Sequence, residues 1–245
     1  MKRLFFILLI APFLWSCNDD DGYSLDDVWV DIATVENPDG LNTFYLTLDD
    51  TTRLWTAATA LPGFKPSDGQ RIVAYYTILS DKPESAAYDH DIKLTDAYKV
   101  LTKGIFNITQ ATQDSIGNDY IYIEDMWIGS DYLNVEFVYP GYNKTHYINL
   151  VSDVSKTYND GKVHLEFRHN ANADSPAYNQ WGLVSFNIKS LRTDALSSGS
   201  VSIVVHTKEY NKEDQTYNLT YKYGAGASSV KPHKFSVRAE KAVLR

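Results

Sequence analysis

One cysteine, Cys17, in 245 residues excludes an internal disulfide, so the fold must be held by its core. Basic residues are in short supply. Lys and Arg number 23 against 31 Asp and Glu, and the net charge of −8 argues against a general binder of phosphate backbones. No nucleic-acid partner is expected. Beyond residue 14 no apolar stretch approaches the length of a membrane-spanning helix. The chain has no Gly-x-Ser-x-Gly elbow to activate a serine and no glycine-rich phosphate loop ahead of a helix. No catalytic residue, cofactor or metal is expected. A hydrolase using paired carboxylates stays open as the lesser reading, because such a pair is defined in space. Glu124 and Asp125 are adjacent and should diverge on a strand, whereas Glu136 and Glu166 fall on separate strands.

What is present begins with a leader. Lys2 and Arg3 precede the apolar run LFFILLIAPFL over residues 4–14, which suits a signal-peptide core and is too short to span a bilayer. Leu14-Trp15-Ser16-Cys17 resembles a bacterial lipobox, which implies cleavage after residue 16 and lipidation of Cys17. A second acyl chain turns marginal membrane binding into stable anchoring. Residues 17–26 then read as a spacer. Its Asp19-Asp20-Asp21 run repels itself and stays hydrated. That run resembles the acidic export signals of Bacteroidetes lipoproteins, which implies an outer-membrane anchor and the cell surface, with the periplasmic face as the other option.

Behind the spacer the apolar pattern has period two almost throughout. Phe44, Leu46 and Leu48 alternate with Tyr45 and Thr47; Val163, Leu165 and Phe167 alternate with His164, Glu166 and Arg168. Turn signals such as Asn37-Pro38-Asp39-Gly40 and Asn159-Asp160-Gly161 separate the runs. No long helical pattern intervenes, so the fold is all-β. About five strands over residues 27–118 predict a small barrel, and those over 119–245 an antiparallel, Ig-like β-sandwich. The boundary is placed near Gly117-Asn118, where charge also changes: residues 27–118 carry a net −6 and residues 119–245 a net of zero.

The pattern resembles the NigD-like lipoproteins of Bacteroidetes. The residues that carry the likeness are 28–36, 45–55, Gly69-Gln70-Arg71-Ile72, IEDMWIGSDYLNVEF at 123–137, HYINLV at 146–151 and LEFRHN at 165–170. The resemblance implies an N-terminal OB-like barrel, a C-terminal β-sandwich and a link to bacteriocin immunity. It supplies no catalytic residues.

Histidines and aromatic rings are the remaining candidates. His164 and His169 are five apart on one strand, which puts them on opposite faces and forbids a shared ion. His146 alternates with Ile148 and Leu150 and is read as an interior or interface residue. Eighteen tyrosines and five tryptophans are many for this length. Trp29, Tyr45 and Trp55 are expected to line one outer barrel face, where OB-type barrels bind ligands. Tyr178 and Trp181 fall in a long polar segment, 170–181, read as a loop suited to a ligand. The expected function is therefore a non-enzymatic, envelope-anchored module that binds a macromolecular partner, protein or glycan. A glycan-binding accessory module of polysaccharide uptake is the alternative.

Overall fold

The computed structural model describes residues 23–82, 85–192, 198–212 and 214–224. Cys17, the acidic run and the end of the expected sandwich, from residue 225 on, lie outside these residues. The first unit is a closed barrel of β1 (Trp29–Glu36), β2 (Tyr45–Leu48), β3 (Arg53–Thr59), β4 (Arg71–Asp81) and β5 (His90–Lys99). Its strand order is β1-β2-β3-β5-β4, and β4 returns to pair with β1. Only β3 and β5 run parallel. Alternation decides the inside: Ala33, Val35, Leu46, Leu54, Ile72, Ala74, Ile92 and Leu94 fill the barrel. The turn after β1 is organised by buried Asn37, whose amide donates to Leu41 and Pro66 carbonyls while its Oδ1 accepts Leu41 N–H.

The second unit is built from β6 (Leu101–Ile108), a single helical turn α1 (Gln113–Ile116), β7 (Tyr122–Gly129), β8 (Tyr132–Gly141), β9 (Tyr147–Asp153), β10 (Val163–Asn170), β11 (Tyr178–Asn187), β12 (Gly199–Thr207) and β13 (Gln215–Tyr223). The strand order is β13-β12-β10-β9-β6-β11-β8-β7. β6 joins the two layers. Leu101–Gly104 pairs with β11, and Ile105–Ile108 pairs with β9. The layers enclose Ile121, Leu133, Val135, Phe137, Leu150, Leu165, Phe167, Val184, Phe186 and Tyr221. A buried phenylalanine such as Phe167 contributes roughly 1.5–3 kcal/mol.

Two features depart from the expectation. β6 was expected in the barrel, with the boundary near Gly117-Asn118. It belongs to the second sheet, so that unit starts at Leu101. The sandwich is also mixed: β6 runs parallel to both β9 and β11, and β10 runs parallel to β12. Period two reports which side chains face inward but carries no record of strand direction.

The two units are clasped together. Ile32, Val73 and Val100 pack with Val30, Tyr75, Trp127 and Leu183, uniting barrel and sandwich residues. At the centre is Arg71, whose side chain is 0% exposed. Its guanidinium donates to both Asp49 oxygens at 2.7 and 3.0 Å and to Asn134 Oδ1 at 3.2 Å. Asn134 returns a hydrogen bond to Asp49 at 2.9 Å and accepts one from Ser185. Tyr132 covers the guanidinium face at 4.2 Å. Gly129 permits the approach: a Cβ there would lie 2.3 Å from the Asp49 carboxylate.

Candidate functional site

On the barrel, Tyr45 of β2 faces Trp55 of β3 across the ladder, because both occupy the outward parity of strands whose Leu46 and Leu54 point in. Their ring centroids are 4.6 Å apart. Tyr88, from the loop before β5, closes a triangle at 5.9 Å from Tyr45 and 6.4 Å from Trp55. Arg53 lies over the Tyr45 ring at 4.0 Å, a cation–π distance, and its Nη2 pairs with Glu36 at 2.6 Å. Glu36 also accepts from Thr47. The three rings are half-buried. The outcome is a preformed patch of two tyrosines, a tryptophan and an arginine held by a carboxylate.

Trp29 is not part of it. It pairs with Tyr76 at the far end of β1, whereas Tyr45 pairs with Glu36. Seven residues of strand separate the two positions, about 23 Å. Tyr88, which has no strand parity to announce it, takes the place expected for Trp29.

The long polar segment is part loop and part strand. β11 begins at Tyr178 and pairs along its full length with β8, which leaves only 171–177 as loop. Tyr178 is 65% exposed and rests near Tyr142, with ring centroids 6.1 Å apart. Trp181, three residues on, points to the other face. It is half-buried and donates its indole N–H to Glu136 Oε1 at 2.8 Å, a carboxyl only 1% exposed. The two residues expected to share a ligand therefore diverge, and Trp181 is committed to the fold.

Four of the six histidines form two pairs, one on each face of β10. His169 Nδ1 donates to the Tyr120 carbonyl at 3.1 Å, and its Nε2 meets His146 Nδ1 at 2.8 Å. His146 Nε2 in turn lies 3.2 Å from Asp174. Asp174 also accepts the backbone N–H groups of Tyr142 and Asn143. Burial opposes its ionisation. The Tyr142 amide, His146 and the Asn143 and Lys144 amides outweigh that and hold its carboxyl well below the usual carboxylate range. The 171–177 loop is thus pinned to the β8–β9 turn. On the other face His164 pairs with His206 at 2.9 Å. His206 gave no sequence signal, since its partner comes from a strand 42 residues away. Among the described residues no group of three or more His, Cys, Asp or Glu is placed to hold a metal ion.

Burial is the main force lowering the proton affinity of His169, and His146 adds to it. Folded His169 therefore stays neutral where the unfolded chain takes up a proton. Its contribution is intact above about pH 6.5 and is lost as the pH falls. Urea unfolding between pH 7.5 and 5 is expected to show falling stability, with this residue adding up to about 1.4 kcal/mol per pH unit. His169→Gln is expected to flatten that slope. An unchanged slope would show that the acid sensitivity arises elsewhere.

No helix among the described residues is long and apolar enough to cross a membrane. The family model described as the NigD-like N-terminal OB domain matches residues 32–100, and the one described as the NigD-like C-terminal beta sandwich domain matches 104–221. Among solved structures, a protein of unknown function from Bacteroides vulgatus ATCC 8482 is similar at 29% identity and TM-score 0.72, covering 85% of this chain and 96% of that one. A putative toxin related protein from Parabacteroides distasonis ATCC 8503 is 36% identical at TM-score 0.68, with 82% and 96% covered. A NigD-like immunity protein from Bacteroides caccae ATCC 43185 shares the fold at 19% identity and TM-score 0.61, with 83% and 100% covered. No curated protein matches the chain.

Proposed function

The chain belongs to the NigD-like family, and from that premise we propose that it is an envelope-anchored, non-enzymatic module that binds a protein partner through the outer face of its barrel. The observation that carries this reading is the Tyr45, Trp55, Tyr88 and Arg53 patch. Tryptophan, tyrosine and arginine dominate interface hot spots, because they bury much area at small entropic cost. The rings are preorganised against one another, and Glu36 fixes the arginine. A protein partner also accords with the names of two similar structures, one toxin related and one an immunity protein. In this reading the lipid on Cys17 tethers the module to the outer membrane at the cell surface.

Trp55→Ala is expected to weaken partner binding by about 2 kcal/mol, roughly thirtyfold. The cellular test is bacteriocin sensitivity. A deletion strain should become more sensitive, the wild-type gene should restore resistance, and Trp55→Ala should not. Unchanged sensitivity on deletion would dispose of the immunity function. A glycan array that lights up for the wild type and darkens for Trp55→Ala would move the patch to sugar capture. Cys17→Ala should leave the membrane fraction; its retention there would end the anchoring claim.

A further inference from the structure

A second recessed site lies on the sandwich, independent of the barrel patch. β10 and β12 run side by side in parallel, with Glu166 opposite His206. The connection after β9 folds back over this face. Tyr158 stacks flat on His164 with ring centroids 3.6 Å apart, and Lys156 Nζ donates to Glu166 Oε1 at 2.6 Å. Across from it, Lys208 Nζ donates to the Asn118 carbonyl at 3.1 Å. Between them opens a cleft of about 240 Å³ lined by Lys156, Tyr158, Glu166, Arg168, His206 and Lys208, with Asp214 among its further residues. That is the space of about eight waters.

The charges in this cleft are arranged to receive an anion. Burial disfavours the Glu166 carboxylate, but Lys156 and Arg168 overcome that and keep it ionised. Both its oxygens are occupied, Oε1 by Lys156 and Oε2 by Arg168 Nε at 2.6 Å and by Nη2. The buried carboxylate is therefore already engaged by two cations. The lining holds three cations against Glu166 and Asp214, an excess of one positive charge on a chain of net charge −8. Asp153 lies 3.6 Å from Lys156, outside that lining. His206 adds the opposite polarity. His164 Nε2 is 3.1 Å from both Asp160 oxygens, so the hydrogen-bond network assigns its proton there. His164 Nδ1 then accepts the His206 Nε2 proton, and neutral His206 keeps Nδ1 as an acceptor without a partner among the described residues.

We propose that this cleft binds a small hydroxylated carboxylate the size of one hexuronate ring, its carboxylate on the Lys156, Arg168 and Lys208 nitrogens and a hydroxyl on His206. The test titrates the purified full chain with glucuronate, glucose and acetate by calorimetry. Glucuronate is expected to bind at least about tenfold more tightly than either glucose, which lacks the charge, or acetate, which lacks the hydroxyls. Lys208→Gln alters an exposed side chain outside the Glu166 ion pairs, so it should keep the melting temperature while weakening glucuronate about tenfold. Absence of glucuronate binding, equal binding of glucose or of acetate, or indifference to Lys208→Gln in a protein with unchanged melting would each overturn the proposal.

Discussion

Arg71→Met is expected to lower the unfolding free energy by about 3–5 kcal/mol, the range for removing one partner of a buried ion pair. Methionine preserves much of the stem and deletes the fork. Asp49, whose side chain is 12% exposed, loses its counter-cation, and Asn134 loses a donor. Because these groups join the barrel to the sandwich, calorimetry should also show the single transition dividing into two. Asp49→Asn should cost a comparable amount. An Arg71→Met/Asp49→Leu double variant should recover part of the loss, since an apolar pair leaves no stranded charge. A loss below about 1 kcal/mol in Arg71→Met, with one sharp transition retained, would show that the apolar contacts alone hold the units together.

Trp181→Ala is expected to cost about 3 kcal/mol of stability and to leave partner binding intact once the protein is folded. The figure is the low end for truncating a large aromatic side chain, because the ring is half-buried. Trp181→Phe keeps most of the packing and removes the N–H to Glu136, for an expected about 1–2 kcal/mol. Tyr178→Ala, three residues away and exposed, should fall within about 0.5 kcal/mol of the wild type. Urea denaturation followed by circular dichroism separates the three. Equal, small effects at both positions would return Trp181 to the role of a surface residue.

These two residues mark where the sequence was legible and where it was not. Period two located the strands and assigned Tyr45 and Trp55 to the outside of the barrel, because parity is a local property. Partnership is not local. Tyr88 reaches the aromatic patch through a loop whose return path leaves no periodic trace. Arg71 opens an apolar strand and reads as an ordinary polar terminus; its burial depends on Asp49 and Asn134, 22 and 63 residues away. The end of the segment 170–181 reads as loop because Tyr178-Asn179-Gln180 is polar, yet the neighbouring β8 supplies the hydrogen bonds that make residues 178–181 strand. The resemblance, carried partly by Gly69-Gln70-Arg71-Ile72 and by residues 123–137, draws on segments that meet at the clasp, which explains a family signature that names no catalytic group.

β6 imposes an order in time. The barrel's strands are complete at Lys99, so a chain emerging from its N-terminus can close that unit early. β6 follows at once but must wait, bare along both edges, until β9 and β11 arrive. The middle of the second unit is thus made first and covered only when β11 arrives. During synthesis the finished barrel beside it is the nearest body able to shield those edges from another chain.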